Sequence, residues 1–131
     1  MGMSLRVLVT GGRDYTNRTL VFNTLSNMAN DIKILAQGGA RGADALAKEW
    51  AIQNGKSWIT YPAYWKKHGK SAGIIRNLWM LEEFKPDLVL AFPGGRGTAH
   101  MVAAARARDV PVRIVAEVTH ENLFTRLQSF L

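Results

Sequence analysis

The chain contains no cysteine, which excludes disulfide staples and thiolate chemistry. No apolar run approaches the ~18 residues of a membrane helix, and the N-terminus lacks the charged and apolar regions of a secretory signal. Met1-Gly2 opens like a myristoylation site, but Arg6 stands where Ser or Thr is required. The expectation is a cytoplasmic protein with no membrane partner. Acidic residues are also scarce: 10 Asp and Glu stand against 17 Lys and Arg, a net charge of +7. Around His100 there is no second histidine or carboxylate at ligand spacing, so neither a metal site nor a cofactor is expected.

What is present fits a single domain over residues 1–131, long enough to bury one core but not two. Apolar residues make up 47% and charged residues 21%, ordinary for a globular protein. No internal repeat, low-complexity tract or linker interrupts the chain.

Apolar, β-prone runs at Leu5–Thr10, Ile32–Ala36, Trp58–Tyr61, Asp87–Phe92 and Val112–Ala116 predict strands. Helical spacing separates them. Asn17 caps a helix carrying Leu20, Val21, Leu25 and Met28, and a second runs Ala43–Gln53 to a stop at Asn54-Gly55. Further helices are predicted at Ser71–Glu83 and Thr98–Arg108, and a last one capped by Thr119 bears Leu123, Phe124, Leu127 and Phe130. Ala63–Lys70 mixes aromatics with positive charge, has no clean period and reads as a long loop. The alternation implies an α/β, Rossmann-like, doubly wound domain. Its mainly parallel sheet should have about five or more strands, with helices on both faces.

Three glycine-rich loops occupy strand-to-helix junctions: Gly11-Gly12-Arg13-Asp14, Gly38 to Asp44, and Pro93 to Thr98. Such junctions aim backbone N–H groups and the positive helix end at an anion, usually a phosphate. All three lie at the carboxyl edge of the sheet, where ligands of this architecture bind. Gly94, Gly95, Gly97 and Thr98 are assigned to phosphate; the plainer alternative is a tight turn with Thr98 as N-cap. Gly11 and Gly12 let the backbone approach the ligand, while Arg13 pairs with phosphate or stacks on a base. Asp14 either accepts from ribose hydroxyls or orients Arg13, and Tyr15 either stacks on a base or packs in the core. Gly38, Gly39 and Gly42 open the second helix, with Asp44 as a dipole partner ahead of a catalyst. Arg41 has no core role and is the better ligand candidate there, and Lys70 and Ser71 add phosphate contacts. Seven cations lie in or beside these loops: Arg13, Arg41, Lys66, Lys67, Lys70, Arg76 and Arg96. Their focused field suits a polyanionic small molecule or a nucleic-acid backbone.

Five blocks in order resemble the YspA-like family of the SLOG superfamily. They are VTGGRDY at Val9–Tyr15, GGARGAD at Gly38–Asp44, W…GKSAG at Trp65–Gly73, Arg76-Asn77, and FPGGRGTAHMV at Phe92–Val102. The resemblance spans nearly the whole chain and implies a Rossmann-like fold and a nucleotide-derived ligand. It also implies that Arg76 contacts the ligand and that Asn77 reads it or holds a neighbouring loop. Enzymatic relatives, the LOG phosphoribohydrolases, carry PGGxGTxxE with an upstream RKxxM. Here Arg76 and Met80 keep the ends of the second motif, but the glutamate position of the first is Met101. Cleaving a base from ribose passes through an oxocarbenium-like state that a carboxylate serves and methionine does not. On this reading a glutamate at position 101 would restore hydrolysis.

Three functions follow from these residues. The first is a sensor or carrier of a nucleotide-derived phosphorylated molecule without turnover. The second is a nucleotide-processing enzyme using Asp14, Asp44, Arg76 or His100 instead of the missing glutamate. The third is a DprA-like single-stranded nucleic-acid binder with Tyr64 and Trp65 as stacking platforms. Trp65 and His68 close over a base or serve as a dimer contact, and by the resemblance a homodimer is expected.

Overall fold

The computed structural model describes residues 2–117. Strands β1 (Leu5–Thr10), β2 (Ile32–Gln37), β3 (Ser57–Thr60), β4 (Leu88–Ala91) and β5 (Val112–Ile114) form one sheet in the order β3-β2-β1-β4-β5. Every neighbouring pair is parallel. Between them run α1 (Arg18–Asn27), α2 (Ala43–Gln53), α3 (Trp65–His68), α4 (Ala72–Phe84) and α5 (Arg96–Ala107). The helix predicted beyond Thr119, with Leu123, Phe124, Leu127 and Phe130, lies outside the described residues.

A parallel sheet covered on both faces needs strands apolar on both faces. In β1, Val7 and Val9 face one cluster and Leu8 the other, all fully buried. The first cluster joins the sheet to α1 and α2 through Val21, Leu25, Ala47 and Trp50. Trp50 is fully buried and its indole N–H donates to Ser26 Oγ at 2.9 Å, so the two helices meet through a satisfied polar atom. The second cluster seats α4 and α5 with Met80, Phe84, Met101 and Ala105. Asn17 caps α1, accepting from the Leu20 N–H at 3.0 Å, a contact worth about 1 kcal/mol.

Several predicted boundaries move by one residue, and three differences are larger. The segment read as a loop over 63–70 contains α3 and a following 3-10 turn, Gly69–Ser71. One carbonyl, that of Tyr64, accepts from both Lys67 and His68, and Gly69 at φ +57° ends the turn. Four residues are too few to display a helical period. The fourth major helix starts at Arg96 rather than Thr98, so Gly95 is its cap and Thr98 lies inside its first turn. The last strand stops at Ile114, two residues before the predicted end.

Strand order reverses between β1 and β4, which opens a crevice at their carboxyl ends. The loops after these strands are tied across it: Phe92 N–H donates to Thr10 O and Gly12 N–H to Pro93 O, each at 2.9 Å.

Candidate functional site

A cavity of about 900 Å³ fills this crevice, within the usual size of a small-molecule site. The first loop contributes Gly11, Gly12, Arg13 and Asp14, and the third Gly94, Gly95, Arg96, Gly97 and Thr98. Asp44 comes from α2, while Lys70, Arg76 and Asn77 come from α4 and the turn before it. Gly38, Gly39 and Arg41 do not line the cavity. Arg41 reaches sideways instead, to Asp14 Oδ1 at 2.8 Å and to the Arg13 carbonyl at 3.3 Å, in an exposed pair worth little. Asp14 therefore meets Arg41 rather than Arg13.

The glycines of the third loop have separate reasons. None of Gly94, Gly95 and Gly97 has a positive φ. At Gly94 a Cβ would collide with Thr98 Oγ1 and lie 2.7 Å from the Gly12 nitrogen, so close packing requires glycine there. At Gly95 and Gly97 a Cβ would meet nothing within 4 Å. Neither strain nor crowding explains those two, and both border the cavity. Among the described residues the N–H groups of Gly95, Arg96, Gly97 and Thr98 make no backbone hydrogen bond, as expected at a helix start.

Arg13 stacks over the Trp65 ring, its guanidinium carbon 4.8 Å from the centroid. Trp65 also leans across Gly73, where a Cβ would lie 3.6 Å from its ring edge. The short α3 is thereby held over one wall of the cavity. Tyr15 borders the cavity but packs tilted on Phe92, centroids 6.0 Å apart; burial, then Glu117, pushes its pKa up to about 12.

Arg76 and Asn77 join the opposite wall. Arg76 Nη1 donates to the Gly38 carbonyl at 2.7 Å and its Nε to Asn77 Oδ1 at 3.0 Å. A Cβ on Gly38 would lie 2.6 Å from the Arg76 guanidinium carbon, so glycine makes room for that arginine. Burial lowers the Arg76 pKa, against the opposing pull of Asp44. With its oxygen committed to Arg76, the Asn77 amide must donate from Nδ2, to Gly97 O and to His100 Nδ1, each at 3.2 Å. His100 Nδ1 is then an acceptor, and the neutral ring carries its proton on Nε2. This tautomer follows from the hydrogen-bond network.

Asp44 lies between the second loop and Arg76. Its Oδ2 accepts from the Gly38 and Ala40 N–H groups, each at 3.2 Å. Burial raises its pKa from 3.8 to about 6; those two hydrogen bonds and the charges of Arg76 and Arg13 pull the other way. Met101, by contrast, is fully buried in the second core cluster and does not line the cavity. Its neighbour His100 does.

The sequence reading missed Gly73 and Ile74 as cavity wall. The signal was the helical spacing Lys70, Gly73, Ile74, Asn77, which puts them on one face. Among the described residues, no group of three His, Asp or Glu gathers where it could hold a metal, and no helix is long and apolar enough to cross a membrane.

Residues 5–68 match the family described as YspA, cpYpsA-related SLOG. The chain belongs to this family. A similar protein, the Gene 61 protein of Mycobacterium phage D29, is 38% identical over 117 residues, covering 82% of this chain and 93% of that one. In this SLOG domain the matched region carries the first two glycine loops. Its fold is similar to DNA processing protein A (DprA) from Streptococcus pneumoniae, with TM-score 0.72 and 17% identity. That likeness covers 98% of this chain but 56% of DprA, so the chain spans little more than half of that protein. The Moco carrier protein from Chlamydomonas reinhardtii is also similar, with TM-score 0.57, 19% identity and coverage of 98% and 86%. At these identities the likeness is one of fold.

Proposed function

We propose that this SLOG domain binds a phosphorylated, nucleotide-derived small molecule in the switch-point cavity, as a sensor or carrier without turnover. One observation carries the reading: Gly95 and Gly97 border the cavity with open space where a side chain would be. A phosphate there meets the positive end of α5 and N–H groups that have no backbone partner among the described residues, with Arg96 and Lys70 beside it. The Arg13–Trp65 stack supplies a flat cationic and aromatic surface for a base. Two residues on which turnover would depend are out of place for it: Met101 lies in the core and Asp14 is a solvent-facing partner of Arg41.

The test is a thermal-shift panel of inorganic phosphate, nucleoside mono- and diphosphates, dinucleotides and ADP-ribose. A ligand that binds only the folded state raises the melting temperature by mass action. Gly95→Val should abolish the shift while leaving the unliganded melt in place. No shift with any member sinks the reading, and base released during long incubation with a hit replaces it with an enzyme.

A second reading has its own observation. Tyr64 and Trp65 are 54% and 47% exposed beside Lys66, Lys67 and His68, a surface on which unpaired bases stack. Oligonucleotide binding that weakens steeply with salt would favour it.

A further inference from the structure

We propose that Asp44 Oδ1 is a hydroxyl acceptor in the cavity and that the phosphorylated ligand carries a sugar whose hydroxyl donates to it. The proposal rests on the phosphate reading and adds the residue that recognises the sugar attached to that phosphate. Asp44 is 6% exposed and lines the cavity. Its Oδ2 is occupied by two backbone donors, Gly38 and Ala40. Its Oδ1 makes no hydrogen bond among the described residues, and no ion pair closes between Asp44 and Arg76. Nor is that oxygen sealed away: among the described residues, the buried side-chain atom left without a partner is the Tyr15 hydroxyl oxygen. An unpaired acceptor on a buried residue that lines a cavity is completed by a donor that enters the cavity.

The charges around Asp44 select that donor. Arg76 and Arg13 both act on its carboxylate, and Lys70 lines the same cavity. A ligand ammonium or amidinium would enter a field of like charge, whereas a neutral hydroxyl would not. Arg76 does not fill the role itself: its Nη1 and Nε turn to the Gly38 carbonyl and to Asn77, and no ion pair to Asp44 forms within 4.0 Å. A sugar phosphate carries both required groups, an anion for the α5 terminus and hydroxyls for Asp44.

Asp44→Asn separates the two oxygens. The amide oxygen keeps the Gly38 and Ala40 donors, and an NH2 replaces the unpaired acceptor. Calorimetric titration of wild type and variant with inorganic phosphate and with ribose 5-phosphate is the test. Wild type should bind ribose 5-phosphate about ten-fold tighter than phosphate or better, the effect of one hydrogen bond to a charged group. The variant should lose that advantage while its phosphate affinity stays level or rises, because a negative charge has gone. An advantage that survives the substitution overturns the proposal, as does wild type binding ribose 5-phosphate no tighter than phosphate. Failure of wild type to bind either compound overturns the phosphate reading itself. If the variant does not fold, ethyl phosphate replaces it as the control: equal affinity of wild type for ethyl phosphate and ribose 5-phosphate overturns the hydroxyl assignment.

Discussion

Gly94 and Thr98 compete for one space: a Cβ on Gly94 would overlap the Thr98 hydroxyl and press on the Gly12 nitrogen behind it. The third loop is thus built against the first, and the two glycines after Gly94 are free of that constraint. Gly94→Ala should destabilise the protein by about 1–3 kcal/mol, the overpacking range, whereas Gly95→Ala should leave stability within about 0.5 kcal/mol. Urea denaturation of the two variants checks this; equal losses would refute the division of roles.

Asn77 spans from Arg76 to Gly97 and His100 while only 4% exposed. Asn77→Leu removes both donors and strands the Gly97 carbonyl and His100 Nδ1. A loss of about 1–3 kcal/mol is expected, together with weaker phosphate binding as the α5 terminus loosens. A stable variant with unchanged affinity would show that this bridge does not position the loop.

Asp44 makes stability depend on pH. Its folded pKa, about 6, lies above its ordinary 3.8, so between these values the folded chain holds the extra proton. Stability from this group is present below about pH 4 and is lost as pH rises toward 6, on the order of 3 kcal/mol in full. Asp44→Asn should therefore be at least as stable as wild type at pH 7, and its relative advantage should shrink as pH falls from 6 to 4. Denaturation curves across that window test the sign. An advantage that grows on acidification would contradict it.

Met101→Glu places a carboxylate in the second core cluster, among apolar residues that include Leu8, Met80 and Phe84. A loss of several kcal/mol is expected, and no hydrolytic gain, while Met101→Leu should cost less than about 1.5 kcal/mol. A well-folded Met101→Glu variant that releases base from a nucleotide would restore the simpler motif reading of this position.

Trp65→Ala removes the platform under Arg13. Stability should fall by at most about 1 kcal/mol, as for an exposed cation–aromatic pair. Affinity for a nucleotide should drop while affinity for inorganic phosphate holds. Parallel losses for both ligands would place Trp65 outside base recognition.

The short apolar runs and the period-3.6 pattern by themselves determined the five strands, the helices between them and the edge at which the glycine loops meet. These are local consequences of backbone geometry and of burying both faces of a sheet. The short α3 escaped because four residues carry no period. The roles within the loops were decided only by the tertiary structure. Arg41 and Arg76 are both cations in glycine-rich surroundings, yet one turns outward to Asp14 and the other is held against Gly38 and Asn77. Position 101 reads as a missing catalyst in the motif, yet the turn of α5 sends it into the core and gives the cavity His100. Which nitrogen of His100 carries the proton depends on Asn77, 23 residues away, and the Arg76 side chain is held by the Gly38 carbonyl 38 residues away; only the packing of α4 against the loops brings those partners together.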